Sequence, residues 1–252
     1  MASFAIDCFI EATNAAKSSQ DVAELYANAL NHFGYDQFCY SLITDHPSLG
    51  LNAGHGIQSN YPEDWMSHYA ASHYEKKDPV PRHCFKTSQP FTWDFVVQTH
   101  NLKAEEKKVM NEAREARLLD GIAVPICGPN GELAGVGMAR STRGDPPDNN
   151  LLSKIRAITS HFHVAYTERE QQTCSCDTEN IGKVVLTARE REILLWASAG
   201  KSDSVIGELL GISHSTVRFH MNNIFRKLNA NERTLAITKA IRHGLILPSY
   251  VS

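Results

Sequence analysis

Residues 186–228 read LTAREREILLWASAGKSDSVIGELLGISHSTVRFHMNNIFRKL. Thr187-Ala188-Arg189-Glu190 has the T-x-x-E form of a capping box: the Thr187 hydroxyl takes an amide proton from the first turn and Glu190 reaches back to the cap amide, so a helix starts here. Its apolar residues Ile193, Leu194, Trp196 and Ala197 mostly share one face, and Gly200 ends it. A second helix is expected from Ser202 to Gly211 with Val205, Ile206, Leu209 and Leu210 inward, after which Ser213 can cap a third. On that third helix Val217, Met221, Ile224 and Leu228 fall within about 60° of one another and form a buried stripe. Ser215, Arg218, Phe219, Asn222 and Arg226 occupy the opposite side. Such a face suits a major groove, where Arg pairs with guanine, Asn with adenine, and Phe touches a thymine methyl. Two short helices, a glycine-containing turn and this third helix make a helix-turn-helix; a small bundle with merely solvated charges is the alternative.

Charge separates these readings. The whole chain of 252 residues carries 25 Lys+Arg against 28 Asp+Glu, a net −3 that argues against a nucleic-acid partner. Glu168 to Lys183, EREQQTCSCDTENIGK, has one aliphatic residue and reads as a linker. Cut at residue 182, the N-terminal part holds 15 basic against 23 acidic residues (−8) and the remainder 10 against 5 (+5), so a basic unit follows an acidic one. The expected domains are 1–170, a linker 171–183, and 184–252.

Hydrophobic residues make up 42% and charged residues 21%, within the globular range, and no apolar run approaches the roughly 20 residues that cross a bilayer. Asp7 and Glu11 stand where a signal peptide would be basic, so a cytoplasmic protein is expected. Cys8, Cys39, Cys84 and Cys127 are scattered without a disulfide framework, and Cys174 and Cys176, with His161 and His163, match no familiar zinc spacing. No metal or cofactor is expected.

The run from Leu186 to Ile246, through L-T-x-R-E, G-K-S, I-S-x-x-T-V-x-x-H and K-L-x-A, resembles the four-helix DNA-binding domain of the LuxR family of bacterial transcription factors. That resemblance implies that the helix from Ser213 to Leu228 reads bases and that a last helix, Asn231 to His243, helps dimerise through Leu235, Ala236, Ala240 and Ile241. Arg218 and Asn222 are assigned to base edges, Arg226 to bases or backbone, and Lys201, Ser202, Ser213, Ser215, Thr216 and Lys227 to phosphates. Ile206-Gly207 departs from the usual I-A dipeptide, which is expected to soften the second helix.

Upstream, Val22 to Phe33 and Lys103 to Leu119 have helical spacing, while Tyr35 to Thr44, Gly121 to Cys127 and Glu132 to Ala139 read as strands, the last two joined by Gly128-Pro129-Asn130-Gly131. The fold class is therefore α+β: an α/β/α sandwich around an antiparallel sheet, joined to a small all-α four-helix unit. Tyr61, Trp65 and Tyr69 repeat every four residues ahead of Tyr74, Asp78-Pro79-Val80 and Trp93. Aromatic rings with polar tips beside a carboxylate fit an apolar ligand bearing a few amide-like groups, although an aromatic core stripe with Asp78 capping the turn at Pro79 is the more ordinary use of them.

This pattern, with Gly121, is similar to the acyl-homoserine-lactone-binding domain of LuxR-type quorum-sensing receptors. By that resemblance Trp65 donates to the lactone carbonyl, Asp78 accepts the ligand amide N–H, Tyr61 bonds the acyl carbonyl, and Tyr69 and Trp93 wall the ligand. Gly137 stands where many relatives carry Ser or Thr, and Cys39, Ser41 and Ala123 are also small, which favours a medium-to-long acyl chain. The implied protein is a quorum-sensing transcription factor, a homodimer on a pseudo-palindromic double-stranded operator with no membrane partner. The same architecture answering a plant-derived compound or a pyrone is the runner-up, against which the intact Trp65 argues. A response-regulator receiver lacks its acidic and lysine signature in residues 1–170. No G-x-S-x-G or H-x-x-x-H motif supports an enzyme, and Gly54-His55-Gly56 alone is weak.

Overall fold

A computed structural model describes residues 5–46, 51–128, 131–174 and 184–247, in two compact units that part after a long helix. In the first unit α1 (Ile6–Ala15) and α2 (Ser19–His32) precede β1 (Gln37–Leu42) and β2 (Gly54–Ser59). Helices α3 (Glu63–Ala71) and α4 (Pro79–Cys84), strand β3 (Phe91–Thr92), and helices α5 (Trp93–Thr99) and α6 (Ala104–Glu115) follow. Strands β4 (Leu119–Cys127) and β5 (Leu133–Arg140) and helix α7 (Asn149–Cys174) complete it. The strands form one antiparallel sheet in the order β2-β1-β5-β4-β3.

Side chains alternate across a strand, so each central strand serves two layers. Phe38, Tyr40 and Leu42 of β1, Ile122 and Val124 of β4, and Val136 and Met138 of β5 face α1, α2 and α7 in the main core. There Tyr26 stacks on Phe162 at 4.2 Å, and its hydroxyl meets Thr159 Oγ1 at 2.8 Å, which satisfies both buried polar groups. His161 and His163 bind Thr13 Oγ1 (2.7 Å) and Tyr40 Oη (2.8 Å), so both histidines pack α7. Cys176 and the side chain of Cys174 lie outside the described residues.

Several elements differ from expectation. The first strand is shorter than Tyr35–Thr44, and α6 stops at Glu115 because Arg117 (φ 62°) and Asp120 (φ 47°) turn the chain into β4. Strand β2 has no sequence signature, since Gly54-His55-Gly56 lacks the β-branched and aromatic residues that mark strands. The β4–β5 hairpin forms, with Cys127 opposite Leu133, although Pro129 and Asn130 of its turn lie outside the described residues. Helix α7 runs on to Cys174, into the stretch read as linker.

The second unit packs α8 (Ala188–Ser198), α9 (Asp203–Leu210), α10 (His214–Lys227) and α11 (Arg233–Arg242) around Ile193, Leu194, Ile206, Val217, Met221 and Ile224. The capping box is present: Thr187 Oγ1 accepts the Glu190 amide at 3.2 Å, and Glu190 accepts the Thr187 amide at 2.7 Å. Val205 and Leu209, expected inward, are 38% and 50% exposed; one turn apart, they share the stripe of α9 that faces away from the core. Gly207 has a tighter role than softening its helix, because a Cβ there would stand 2.7 Å from the Ile212 carbonyl oxygen in the following turn. Ala236 and Ala240 are wholly buried in this core, which corrects their assignment to a dimer face, while Leu235 is half-buried and Ile241 exposed.

Glu190 is also buried, and Lys227 Nζ donates at 2.7 Å to Oε2, the same oxygen that accepts the Thr187 amide, while also donating to the Val185 carbonyl at 3.1 Å. Burial raises the Glu190 carboxyl, but Lys227 and Thr187 more than offset this and hold it below the usual carboxylate range. Replacing Lys227 by Met leaves a buried carboxylate short of a partner, so Lys227→Met should destabilise this unit by about 1.5–3 kcal/mol. The double variant with Glu190→Gln should recover part of that loss. Chemical denaturation of the three proteins checks it, and an unchanged midpoint for Lys227→Met would remove the pair from the account.

Candidate ligand pocket and nucleic-acid interface

The other face of the sheet is nearly bare. Cys39 of β1 lies opposite Gly137 of β5, Gly137 opposite Ala123 of β4, and Ala123 opposite Phe91 of β3. Above the small side chains of Cys39, Gly137 and Ala123, helices α3 to α6 hold a cavity with about 630 Å³ of non-atom space, counted to its open mouth. Tyr61, Trp65, Tyr69, Asp78, Val80, Trp93, Cys39, Ser41 and Gly137 all line it. Trp65 and Tyr69 project from α3 one turn apart, whereas Tyr61 stands just before the helix instead of on it, Pro62 being the cap residue.

Two glycines create the space. A Cβ at Gly121 would fall 2.1 Å from the Trp93 indole, so the ring lies directly on the β4 backbone. A Cβ at Gly137 would come within 3.1 Å of Tyr61 Oη, which therefore occupies the room a Ser or Thr would take. Tyr61 Oη and Trp93 Nε1 are buried without a hydrogen-bond partner, an arrangement that costs free energy unless something arrives to fill it.

Asp78 caps α4. Its Oδ1 accepts the Val80 amide at 2.8 Å, and its Oδ2 accepts the Tyr69 hydroxyl at 3.1 Å. Burial pushes this carboxyl up to about 6, against the lowering pull of the Val80 amide, Tyr69 and Arg82. Asp78 thus caps α4 and lines the cavity at once. Arg82 is itself paired with Glu106. Cys39 and Cys84 also face the cavity, but burial pushes their thiols up to about 11 and 12, so neither is an activated nucleophile. Ser41 Oγ is engaged by the Gly56 amide at 3.1 Å.

Sequence reasoning missed several wall residues. Val109, Met110 and Ala113 were legible as an apolar face of α6, but nothing local showed that this face closes a cavity. His55 gave no signal either; its ring stacks on Tyr69 with centroids 4.1 Å apart. Tyr74 is absent from the described lining and instead donates to Glu112 Oε2 at 2.5 Å, supporting α3 from behind.

On α10, Ser215, Arg218, Phe219, Asn222 and Arg226 are exposed together. Ser213 caps the helix by accepting the Thr216 amide at 3.1 Å, with the Ser215 and Thr216 hydroxyls within 2.8 Å, and Ser202 caps α9. Lys201 is exposed, and Arg226 lies against Asn223. Phe219 is 61% exposed, so it does not cover the seam between α9 and α10. Lys227 stands apart from this face because its ammonium is held by Glu190.

Residues 18–166 match the family model described as autoinducer binding domain, and residues 184–240 match that of bacterial regulatory proteins, luxR family. The transcriptional activator protein SolR of Ralstonia nicotianae is 30% identical over 94% of this chain and 98% of its own. BjaR1 of Bradyrhizobium diazoefficiens, also described as a transcriptional activator, is 30% identical over 95% of each chain. The fold is that of Escherichia coli SdiA, with a TM-score of 0.69 over 96% of this chain and 97% of the other at 24% identity.

Arg218→Ala should cost about 1–3 kcal/mol on a preferred sequence and abolish the preference, whereas Lys201→Ala should weaken all DNA sequences alike and flatten the salt slope. Titrations of specific and scrambled duplexes at several salt concentrations separate these effects. Unchanged discrimination by Arg218→Ala would take this residue off the base edges.

Proposed function

The chain belongs to the LuxR family of bacterial regulatory proteins, an autoinducer-binding domain followed by a luxR-type DNA-binding domain, and from that premise we propose that it senses an N-acyl-homoserine lactone. The family is one of DNA-binding transcription regulators that answer small molecules, not of enzymes. The lactone itself, the residue roles and the dimer are the proposal.

The observation that carries it is the match between Asp78 and the orphaned donors around it. A lactone of this class offers one amide N–H and two carbonyls. Asp78 is the pocket's strong acceptor, Tyr61 Oη and Trp93 Nε1 are the buried donors without a partner, and the Trp65 indole lines the same cavity. In this reading Asp78 takes the amide proton, Tyr61 the acyl carbonyl and Trp65 the lactone carbonyl, with Tyr69 and Trp93 as walls. No Lys or Arg lines the described cavity. A ligand carrying a carboxylate would face Asp78 uncompensated, which favours the closed lactone over its ring-opened acid. The bare row of Cys39, Gly137 and Ala123 leaves length for a medium-to-long acyl chain.

Ligand that binds the folded state alone stabilises it by mass action, so the soluble yield of the sensing domain should follow the lactone supply. The folded regulator then acts as a homodimer on a pseudo-palindromic operator, α10 entering the major groove with Arg218, Asn222 and Arg226 toward the bases. Lys201, Ser202, Ser213, Ser215 and Thr216 flank the backbone. Domains of 1–170 and 184–252 joined by 171–183 remain the working division.

Decanoyl-homoserine lactone should bind at least about tenfold more tightly than the butanoyl compound, given about 0.8 kcal/mol per buried methylene. Calorimetry decides this, and the reverse order would refute the long-chain reading. A second test uses the proton on Asp78. Its carboxyl is raised in the folded protein, from 3.8 to about 6, so the stability it lends is full below its ordinary value and is lost as the pH rises through about 6. An amide N–H donated to the carboxylate favours its ionised form. Lactone binding near pH 6 should therefore release protons and strengthen between about pH 5 and about pH 7, read from calorimetry in buffers of different ionisation enthalpy. Proton uptake on binding would contradict the Asp78 contact.

A further inference from the structure

A second hollow opens beside the ligand cavity. The two share Ser41, Ile43, His55, Tyr69 and Pro81 in their walls, so they adjoin near the β1–β2 edge. The His55 ring stands at this junction. It lies flat on Tyr69, with planes 12° apart, and its Nδ1 and Nε2 are 3.2 Å from Ser41 Oγ and 3.6 Å from Cys39 Sγ. Beyond it the groove passes over Ala53, Met66 and Ala70 and encloses about 1140 Å³, counted to its open side. Its described walls are largely carbon, with Glu75 the acidic group among them.

We infer that cavity and groove form one channel with His55 at its throat, through which the tail of a long acyl chain leaves the inner cavity and lies along the groove. This rests on the lactone reading above. The polar donors Tyr61, Trp65 and Trp93 and the acceptor Asp78 belong to the inner cavity and not to the groove, so the head group stays inside and the tail points to the shared wall. A closed cavity sets a sharp length limit, because each added methylene must displace packed side chains. A channel instead lets each further methylene exchange water for apolar wall, so affinity holds or rises with length. The chain thereby accepts long acyl groups as a class in place of a single length.

The test compares hexanoyl-, decanoyl- and tetradecanoyl-homoserine lactone on the full-length protein by calorimetry, with Ala70→Trp as the variant, since Ala70 lines the groove but not the inner cavity. Wild type should bind the tetradecanoyl compound at least as tightly as the decanoyl one. Ala70→Trp should lower tetradecanoyl affinity about tenfold or more, the worth of two buried methylenes, and leave hexanoyl binding within about twofold. Rejection of the tetradecanoyl chain by wild type that binds decanoyl, or an unchanged tetradecanoyl-to-hexanoyl ratio in the variant, overturns the channel. Should Ala70→Trp lose hexanoyl binding as well, Ala53→Trp decides by the same ratio. Failure of every lactone to bind wild type would overturn the lactone reading instead.

Discussion

The sensing unit depends on one constraint, the strict alternation of side chains across its central strands. On β1, β4 and β5 the odd and even positions have opposite sizes: Phe38, Tyr40, Ile122, Val136 and Met138 on one side, Cys39, Ser41, Ala123 and Gly137 on the other. The bulky set welds the sheet to α1, α2 and α7. Little remains on the other side to fill the space under α3 to α6, and the cavity is the result. A shift of one residue in register would exchange the two sets, which explains why a single sheet can be both a packed core and a bare floor. Asp78 then gives that floor its polarity, and its place at the start of α4 fixes the carboxylate by backbone geometry instead of by a flexible stem.

In the second unit, charge is divided between architecture and exposure. Arg189 donates to the Leu210 carbonyl at the end of α9, and Lys239 donates to the carbonyls of Leu228 and Asn229 at the end of α10. Lys227 and Arg233 pair with Glu190 and Asp203. These cations satisfy helix ends, the buried Glu190 and the half-buried Asp203, so the excess of +5 overstates what is offered to an anionic partner. What remains on α10 is a compact set around Arg218 and Asn222, beside an exposed aromatic ring.

Much of this was legible in the sequence, for reasons tied to particular residues. Capping at Thr187 and Ser213 is local chemistry, and the stripe Val217, Met221, Ile224 is a one-helix property, so both were visible. The aromatic spacing of Tyr61, Trp65 and Tyr69 pointed to one wall, although Tyr61 precedes its helix. What escaped depended on partners distant in the chain. Val205 and Leu209 are apolar yet outward, Lys227 is basic yet tied to the buried Glu190, and the edge strand around His55 has no propensity to mark it. Resemblance to a family supplied the roles expected around Asp78; the residues alone favoured a core stripe.

The capping role of Asp78 has a consequence for how such a receptor fails. Most replacements at this position remove the carboxylate that faces the cavity, the acceptor for the Val80 amide and the partner of the Tyr69 hydroxyl in a single step. With Asp78 holding the ligand as proposed, deafness to the signal and loosening of the pocket wall are tied together by inheritance. Drift at position 78 tends to delete the listener instead of leaving a sound one that no longer hears.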